Sequence, residues 1–527
     1  MGLTRRTFLM RIGQLGGYSA TFTMMQSLGL LPLPEIASEM GKLHLVEGGG
    51  TSVVILGGGI AGLVTAYELS RAGYRCTVLE ARERPGGRNW TIRGGTKIEF
   101  ANGFTQHCTF SEDQYFNAGP ARLPSIHRTM LHYCSQLDVP LEVEVNSSCS
   151  ALFQADNLNG GVAVENRRVV NDTRGHVSSL LAKAVNQGAL DQEITGEDKE
   201  KMLAFLIEYG DLEPDYLFKG TERSGFKVYP GAGAAPPVPN DPLPMHALLD
   251  ADLWDYMLEK DVAYWQPTMF QPIGGMDRIP YAFQSRLGNI VRYSCPVKSI
   301  RQSATGVTVA YTNSGSTHTL TANYCVCAMP LSILKSIDTD FSPAVETVIK
   351  NATYDSAYKI AWEAPRFWES EYAIYGGLSF LDQTVGTIWY PSANLFSPRG
   401  ILVGGYDMED GSAFGKLPTV EAKLDASRRS VELLHPGHGK DLAKPIYISW
   451  GQIPYNLGSW IHMGYDSRLR DVLVDNVKPL LVPDRRVYFA GDHTSHLVGW
   501  QEGAALSAYR VINQIGARIQ NKGETSA

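Results

Sequence analysis

Seven of the 527 residues are cysteine, and no two of them form a CxxC pair. That excludes a zinc ribbon and a thioredoxin-like redox centre. Cys76, Cys108, Cys134, Cys149, Cys295, Cys325 and Cys327 are scattered, and an odd count leaves at least one thiol unpaired in a monomer. They read as mostly buried small apolar residues. Fixed-period repeats and low-complexity stretches are absent. Charge of one sign is also scarce: the net charge is −7 and charged residues make up 19% of the chain. A basic footprint for nucleic acid is therefore missing, although a local basic funnel could still draw in an acidic substrate group. His435 with His438, and His493 with His496, lack Cys or acidic partners at ligand spacing, so no metal site is expected. Nothing marks a Ser–His–Asp triad or a paired-carboxylate site.

What is present is ordinary globular composition, 44% hydrophobic, in a chain long enough for two domains or more. At the N-terminus, Thr4-Arg5-Arg6-Thr7-Phe8-Leu9 has a twin-arginine pattern, with small residues at Ala37-Ser38. The stretch 12–33 between them is broken by Gln14, Ser19, Thr21, Thr23, Gln26 and Ser27, too polar for a membrane span. Residues 1–37 are expected to be a targeting segment, giving a periplasmic or secreted protein with no stable membrane span. The alternative is a cytoplasmic protein with an amphipathic extension.

The apolar run 52–56 reads as a buried parallel strand, 60–72 as a helix and 74–80 as a second strand, a βαβ unit. Between its first two elements lies Gly57-x-Gly59-x-x-Gly62, with Ile60 and Ala61 opening the helix. Gly57 allows the tight turn, Gly59 lets the backbone approach a pyrophosphate, and Gly62 allows close helix–strand packing. Free N–H groups at the helix start favour phosphate. Glu80, 18 residues after Gly62 and followed by Ala81, would accept hydrogen bonds from ribose and repel a 2′-phosphate, against NADP. Arg82-x-Arg84-x-Gly86-Gly87-Arg88 extends the motif, its arginines suited to phosphates. The glycine-rich run 231–236 follows no strand and lacks a third glycine, so a second nucleotide site is not expected there. The electron donor is then the substrate itself. Strand-like segments are expected at 291–300, 306–313 and 324–328, helices within 177–187 and 200–209, and a strand, loop and helix over 485–519.

Some 400 residues after the first motif stands Val487-Tyr488-Phe489-Ala490-Gly491-Asp492, and then Gly499-Trp500-Gln501-Glu502-Gly503-Ala504. With Tyr115-Phe116-Asn117-Ala118-Gly119-Pro120-Ala121-Arg122-Leu123-Pro124, these segments resemble the flavin amine oxidase family, and within it the bacterial FAD-dependent L-amino acid oxidases and related monooxygenases. The resemblance runs from about residue 50 to residue 520. It implies an α/β two-domain fold: a Rossmann-like FAD-binding domain (50–112, 271–335 and 465–520) and a discontinuous substrate-binding domain (113–270 and 336–464) with a mixed sheet and helices.

The same resemblance implies site residues. Arg122 would pair with a substrate carboxylate, which a planar guanidinium binds bidentately, and Tyr406 would give it a second hydrogen bond. Lys359 would hold a water near the flavin. Trp389 and Trp500 would wall the substrate, with Gly499 at its backbone. FAD would lie against Gly57, Gly59, Ile60, Ala61, Gly62, Glu80, Ala81, Arg82, Gly87, Arg88, Ala121, Arg122, Val297, Gly491, Asp492, Gly499, Trp500 and Ala504. The implied reaction is oxidation of an L-amino acid with O2 as acceptor; decarboxylating monooxygenation, or oxidation of amines lacking a carboxylate, are the alternatives. Family members are often dimers, so a homodimer is expected. The aromatic stretch 253–270, with Trp254, Tyr256, Tyr264 and Trp265, could build the side-chain end of the pocket; Asp250, Asp252, Asp255 and Asp261 leave basic substrates open.

Overall fold

A computed structural model describes residues 42–190, 193–233, 235–462 and 476–524. The twin-arginine segment, Ala234 of the glycine-rich run and the expected boundary between 464 and 465 lie outside the described residues.

Ser52–Leu56 is the centre of a five-stranded sheet because its side chains are apolar on both faces: Val53, Val54, Ile55 and Leu56 are all fully buried. The order is Val291–Arg292, Arg75–Leu79, Ser52–Leu56, Tyr324–Cys327 and Val487–Phe489, and every pairing is parallel. Parallel pairing puts all five carboxyl ends on one edge, where open α/β sheets bind ligands. Gly57, Glu80, Ala328 and Gly491 therefore converge, although 434 residues separate the first from the last. Helix Ile60–Arg71 packs against Arg278–Leu287 and the closing helix Gln501–Glu524.

A second, seven-stranded sheet has the order Val164–Glu165, Leu152–Gln154, Gly377–Leu381, Thr387–Tyr390, Arg399–Met408, Ala357–Pro365 and Ala443–Ser449. It is antiparallel except where Leu152–Gln154 meets Gly377–Leu381. Its register sets Lys359 opposite Tyr406 and Trp389 opposite Val403, and skips Gly404 in between. An antiparallel three-stranded sheet, Leu123–Pro124, Met269–Pro272 and Leu141–Glu144, fixes the residue just before it, Arg122. The fold is thus a two-domain α/β architecture of mixed helix and sheet.

Several elements differ from the sequence reading. The stretch 291–300 is two strands in different sheets, Val291–Arg292 and Val297–Gln302. Ser294 turns through φ +54° and Pro296 has no N–H to give a ladder. Ser316–Ala322 is an unanticipated strand, since its polar sequence hides the alternation. The helices begin earlier, at Asn166–Asn186 and Gly196–Gly210, the latter capped by reciprocal Thr195–Asp198 bonds. Among the described residues no disulfide forms; five thiols are buried, Cys76 is half-buried and Cys149 is exposed. No described helix is long and apolar enough to cross a membrane, and no described cluster could hold a metal.

Candidate active site

One cavity of about 750 Å3 runs from the carboxyl edge of the parallel sheet to the face of the mixed sheet. At its first end the backbone does the shaping. Gly57 adopts φ +106°, and a Cβ there would stand 3.1 Å from the Ala328 carbonyl oxygen. A Cβ on Gly59 would meet nothing within 4 Å, so the chain leaves open space there. Ile60 and Ala61 begin the helix beside that space, and no side chain caps their end. Gly62 packs closely as expected, since a Cβ there would lie 2.0 Å from the Gly57 carbonyl oxygen, but it does not line the cavity where FAD contact was expected of it.

Glu80 is buried at the end of the second strand, where Oε2 accepts the Gly58 N–H at 2.7 Å and Oε1 the Arg82 N–H at 2.9 Å. It shapes the loop as well as facing the cavity. Ala81, Arg82, Gly87, Val297, Gly491 and Ala504 line the same space. Arg88 donates twice to the Asp492 carboxylate, whose Oδ2 also accepts the Gly499 N–H at 2.9 Å. Burial opposes charge on Asp492, but the Arg88 guanidinium outweighs it and holds the carboxyl below its ordinary range. Orphaned helix N–H groups, an open glycine and a buried carboxylate fit the phosphates and ribose of a flavin dinucleotide. The cavity's continuation leaves room for its ring system.

The other end is built from side chains. Arg122 is 6% exposed, with its Cζ 4.3 Å from the ring centres of both Trp265 and Trp389. It donates to Asn146 Oδ1, and the Tyr406 hydroxyl reaches the same guanidinium. Lys359 donates from Nζ to the carbonyls of Gly119 at 2.6 Å and Asn117 at 3.0 Å. Burial, and then the like charge of Arg122, push its ammonium down to about 7. Ala121 lines the cavity beside it. The Arg122 guanidinium, charged and desolvated in an aromatic pocket, makes a strong local site for one anion.

Trp389 and Trp500 both line the cavity. Trp389 lies on Arg122, and Trp500 packs on Trp265, with ring centres 5.1 Å apart, and on Tyr264 at 6.3 Å. Of the aromatic stretch, Trp265 lines the cavity, whereas Trp254 and Tyr256 do not. Asp250, Asp252, Asp255 and Asp261 are all exposed and form a solvated face.

Three residues escaped the sequence reading. His127 is buried against Trp500, ring centres 4.8 Å apart, with neither nitrogen hydrogen-bonded and burial pushing its imidazole down to about 4. It stands five residues after Arg122, a signal that was available. Glu144 ends the strand Leu141–Glu144 and Asn146 lies two residues beyond it; Asn146 accepts from Arg122, and the Glu144 carboxyl feels the same guanidinium. Burial pushes the Glu144 carboxyl up to about 7 against the pull of Arg122, and the Trp389 indole N–H approaches it without reaching hydrogen-bond geometry.

Known proteins agree with this picture. The putative L-amino-acid oxidase YobN of Bacillus subtilis (strain 168) is 26% identical over 480 residues, covering 88% of this chain and 94% of its own. The flavin-dependent L-tryptophan oxidase RebO of Lentzea aerocolonigenes is 26% identical over 501 residues, covering 89% and 98%. Among solved structures, cyclohexylamine oxidase from Brevibacterium oxydans IH-35A shares the fold with a TM-score of 0.59 at 17% identity, covering 89% and 100%. Putrescine oxidase bound to putrescine does so with a TM-score of 0.57 at 16% identity, covering 89% and 99%. The profile of the flavin containing amine oxidoreductases matches residues 60–515, from the glycine helix to the closing helix, and the chain belongs to that family, with FAD as its cofactor.

Proposed function

We propose that this flavin-dependent amine oxidoreductase oxidises L-α-amino acids, with O2 as acceptor, to 2-oxo acids, ammonia and hydrogen peroxide. The observation that carries the reading is Arg122: a buried guanidinium, held between two tryptophans at the substrate end of the cavity. An amine without a carboxylate has no use for it. The relatives named L-amino-acid oxidases support the reading, whereas the solved neighbours are named for putrescine and cyclohexylamine and share only the fold.

FAD, when bound, supplies the two-electron acceptor for the hydride leaving Cα. Everything else falls to side chains. Arg122 and Tyr406 hold the carboxylate, and Asn146 fixes the guanidinium in its plane. Trp265 and Trp500 exclude water from the substrate's side, so the amine is best accommodated neutral. Lys359 gives two N–H bonds to the Asn117 and Gly119 carbonyls. With its ammonium pushed down to about 7, its nitrogen can hold a water as an acceptor near neutral pH. The N-terminal end of the closing helix at Gln501 places partial positive charge near the cofactor.

The test is peroxide formation and product mass for the purified yellow protein against the twenty L-amino acids and simple amines, with Arg122→Met in parallel. Peroxide with a 2-oxo acid, lost in Arg122→Met, is the expected result. Turnover of amines alone, or an undiminished Arg122→Met, would sink the reading. An amide with carbon dioxide would make the enzyme a monooxygenase.

A further inference from the structure

Arg122 has a carboxyl group beside it that the reaction above leaves unused. In the three-stranded sheet, Met269 pairs with Pro124 on one side and with Glu144 on the other. Arg122 stands two residues before Pro124 and donates to Asn146, two residues after Glu144. Its guanidinium therefore reaches past the middle strand to the segment that carries Glu144. Glu144 is 3% exposed, and no hydrogen bond reaches either carboxyl oxygen. The indole N–H of Trp389, whose ring lies on Arg122, is buried without an acceptor as well.

A buried carboxyl with no donor of its own is stabilised as an anion by a nearby cation, and the cation that acts on Glu144 is Arg122. Glu144 does not line the large cavity, so it acts on a substrate through that guanidinium. Lys359 and Glu259 also feel Arg122, and Tyr406 feels both Arg122 and Glu259. Glu259 is half-buried, so solvent screens it more than Glu144. With Glu144 ionised, Arg122 is already balanced, and a substrate carboxylate would bring an unbalanced negative charge into a desolvated site. With Glu144 protonated, one guanidinium meets one carboxylate. Burial holds the Glu144 carboxyl up at about 7, so both forms are accessible near neutral pH.

We propose that Glu144 is a positioning residue for carboxylate binding: it balances Arg122 while the substrate end is empty, and takes one proton from solvent as the substrate carboxylate arrives. The inference rests on Arg122 receiving a carboxylate. A carboxylate and a proton enter together, Glu144 becomes a neutral acid, and the net charge of the pocket is unchanged.

The test uses the holoenzyme with benzoate, its binding read by the change in flavin absorbance. At about pH 8, calorimetry in two buffers of different ionisation enthalpy should show uptake approaching one proton per benzoate. Above about pH 7 the benzoate dissociation constant should rise about tenfold per pH unit. In Glu144→Gln, with full flavin content, both the uptake and the rise should be lost. Infrared difference spectra of the unaltered protein should show a protonated carboxyl appear when benzoate binds, a readout that needs no variant to fold. Binding without proton uptake and without that band overturns the inference. Uptake that survives Glu144→Gln and vanishes in Lys359→Met or Glu259→Gln overturns it too. Benzoate that binds Arg122→Met as tightly as the unaltered protein would instead overturn the carboxylate reading of Arg122, and this inference with it.

Discussion

The two ends of the large cavity are built by opposite means. The glycine end is chiefly backbone: turn angles, free N–H groups and missing side chains, gathered at the carboxyl edge of the parallel sheet. The tryptophan end is side chains: Arg122, Asn146, Trp265, Lys359, Trp389, Tyr406 and Trp500 arrive from separate stretches and meet only in the folded protein. Where backbone packs on backbone, as at Gly57 and Gly62, an added atom has no room, so that end should fail as a whole. A side-chain site divides its work, so it should fail in steps, and each step should show in a different constant.

The largest effect is expected at the glycine end. In Gly62→Val the new Cβ would sit 2.0 Å from the Gly57 carbonyl oxygen, which is backbone and cannot move aside cheaply. The variant should be recovered without FAD, read as loss of flavin absorbance per mole of protein. A yellow Gly62→Val would break the contrast between the two ends.

Next comes Arg122→Met. Removing one partner of a buried charged contact costs about 2–5 kcal/mol, so kcat/KM for amino acids should fall about 30-fold to several thousandfold while FAD content stays full. Equal losses on simple amines would show that Arg122 is structural. A smaller effect is expected for Asp492→Asn, which weakens the pairing with Arg88. Reconstitution of the apoprotein should then need about tenfold more FAD, with KM for substrate little changed.

Smaller still are two pH effects on stability. Lys359 has a folded value of about 7 against 10.5 for a free lysine, so the folded state binds fewer protons between those values. Its penalty is complete below pH 7 and fades as pH rises toward 10.5. The melting temperature of Lys359→Met, relative to the unaltered protein, should therefore fall across that window. A flat difference would mean that Lys359 is not desolvated. In the mixed sheet, burial disfavours charge on Glu363, but bonds from Ser111, Lys444 and Arg399 outweigh it and lower the carboxyl from 4.5 to about 2. That stabilisation is present above pH 4.5 and is lost as pH falls toward 2. Glu363→Gln should have a shallower acid limb of melting temperature over that range.

The same contrast explains what could be read in advance. The strand Ser52–Leu56, its helix and Glu80 were legible because turn geometry and buried parallel strands leave local signatures. The break at Pro296 is legible too, by the missing N–H. Arg122, Lys359 and Tyr406 could be named from the resemblance, but their mutual placement could not. Nor could Trp389 be placed on the guanidinium, since that follows from the register that skips Gly404. His127 carried no local pattern beyond its nearness to Arg122, and it is only the fold that buries Glu144.

By itself, then, the sequence determined the dinucleotide loop and the parallel strands, because those depend on backbone freedom and apolar runs within a few residues of one another. Tertiary structure alone decided which charges are buried together and which tryptophan lies on which cation. Those are properties of contacts between distant segments, and no local stretch of chain encodes the distance between them.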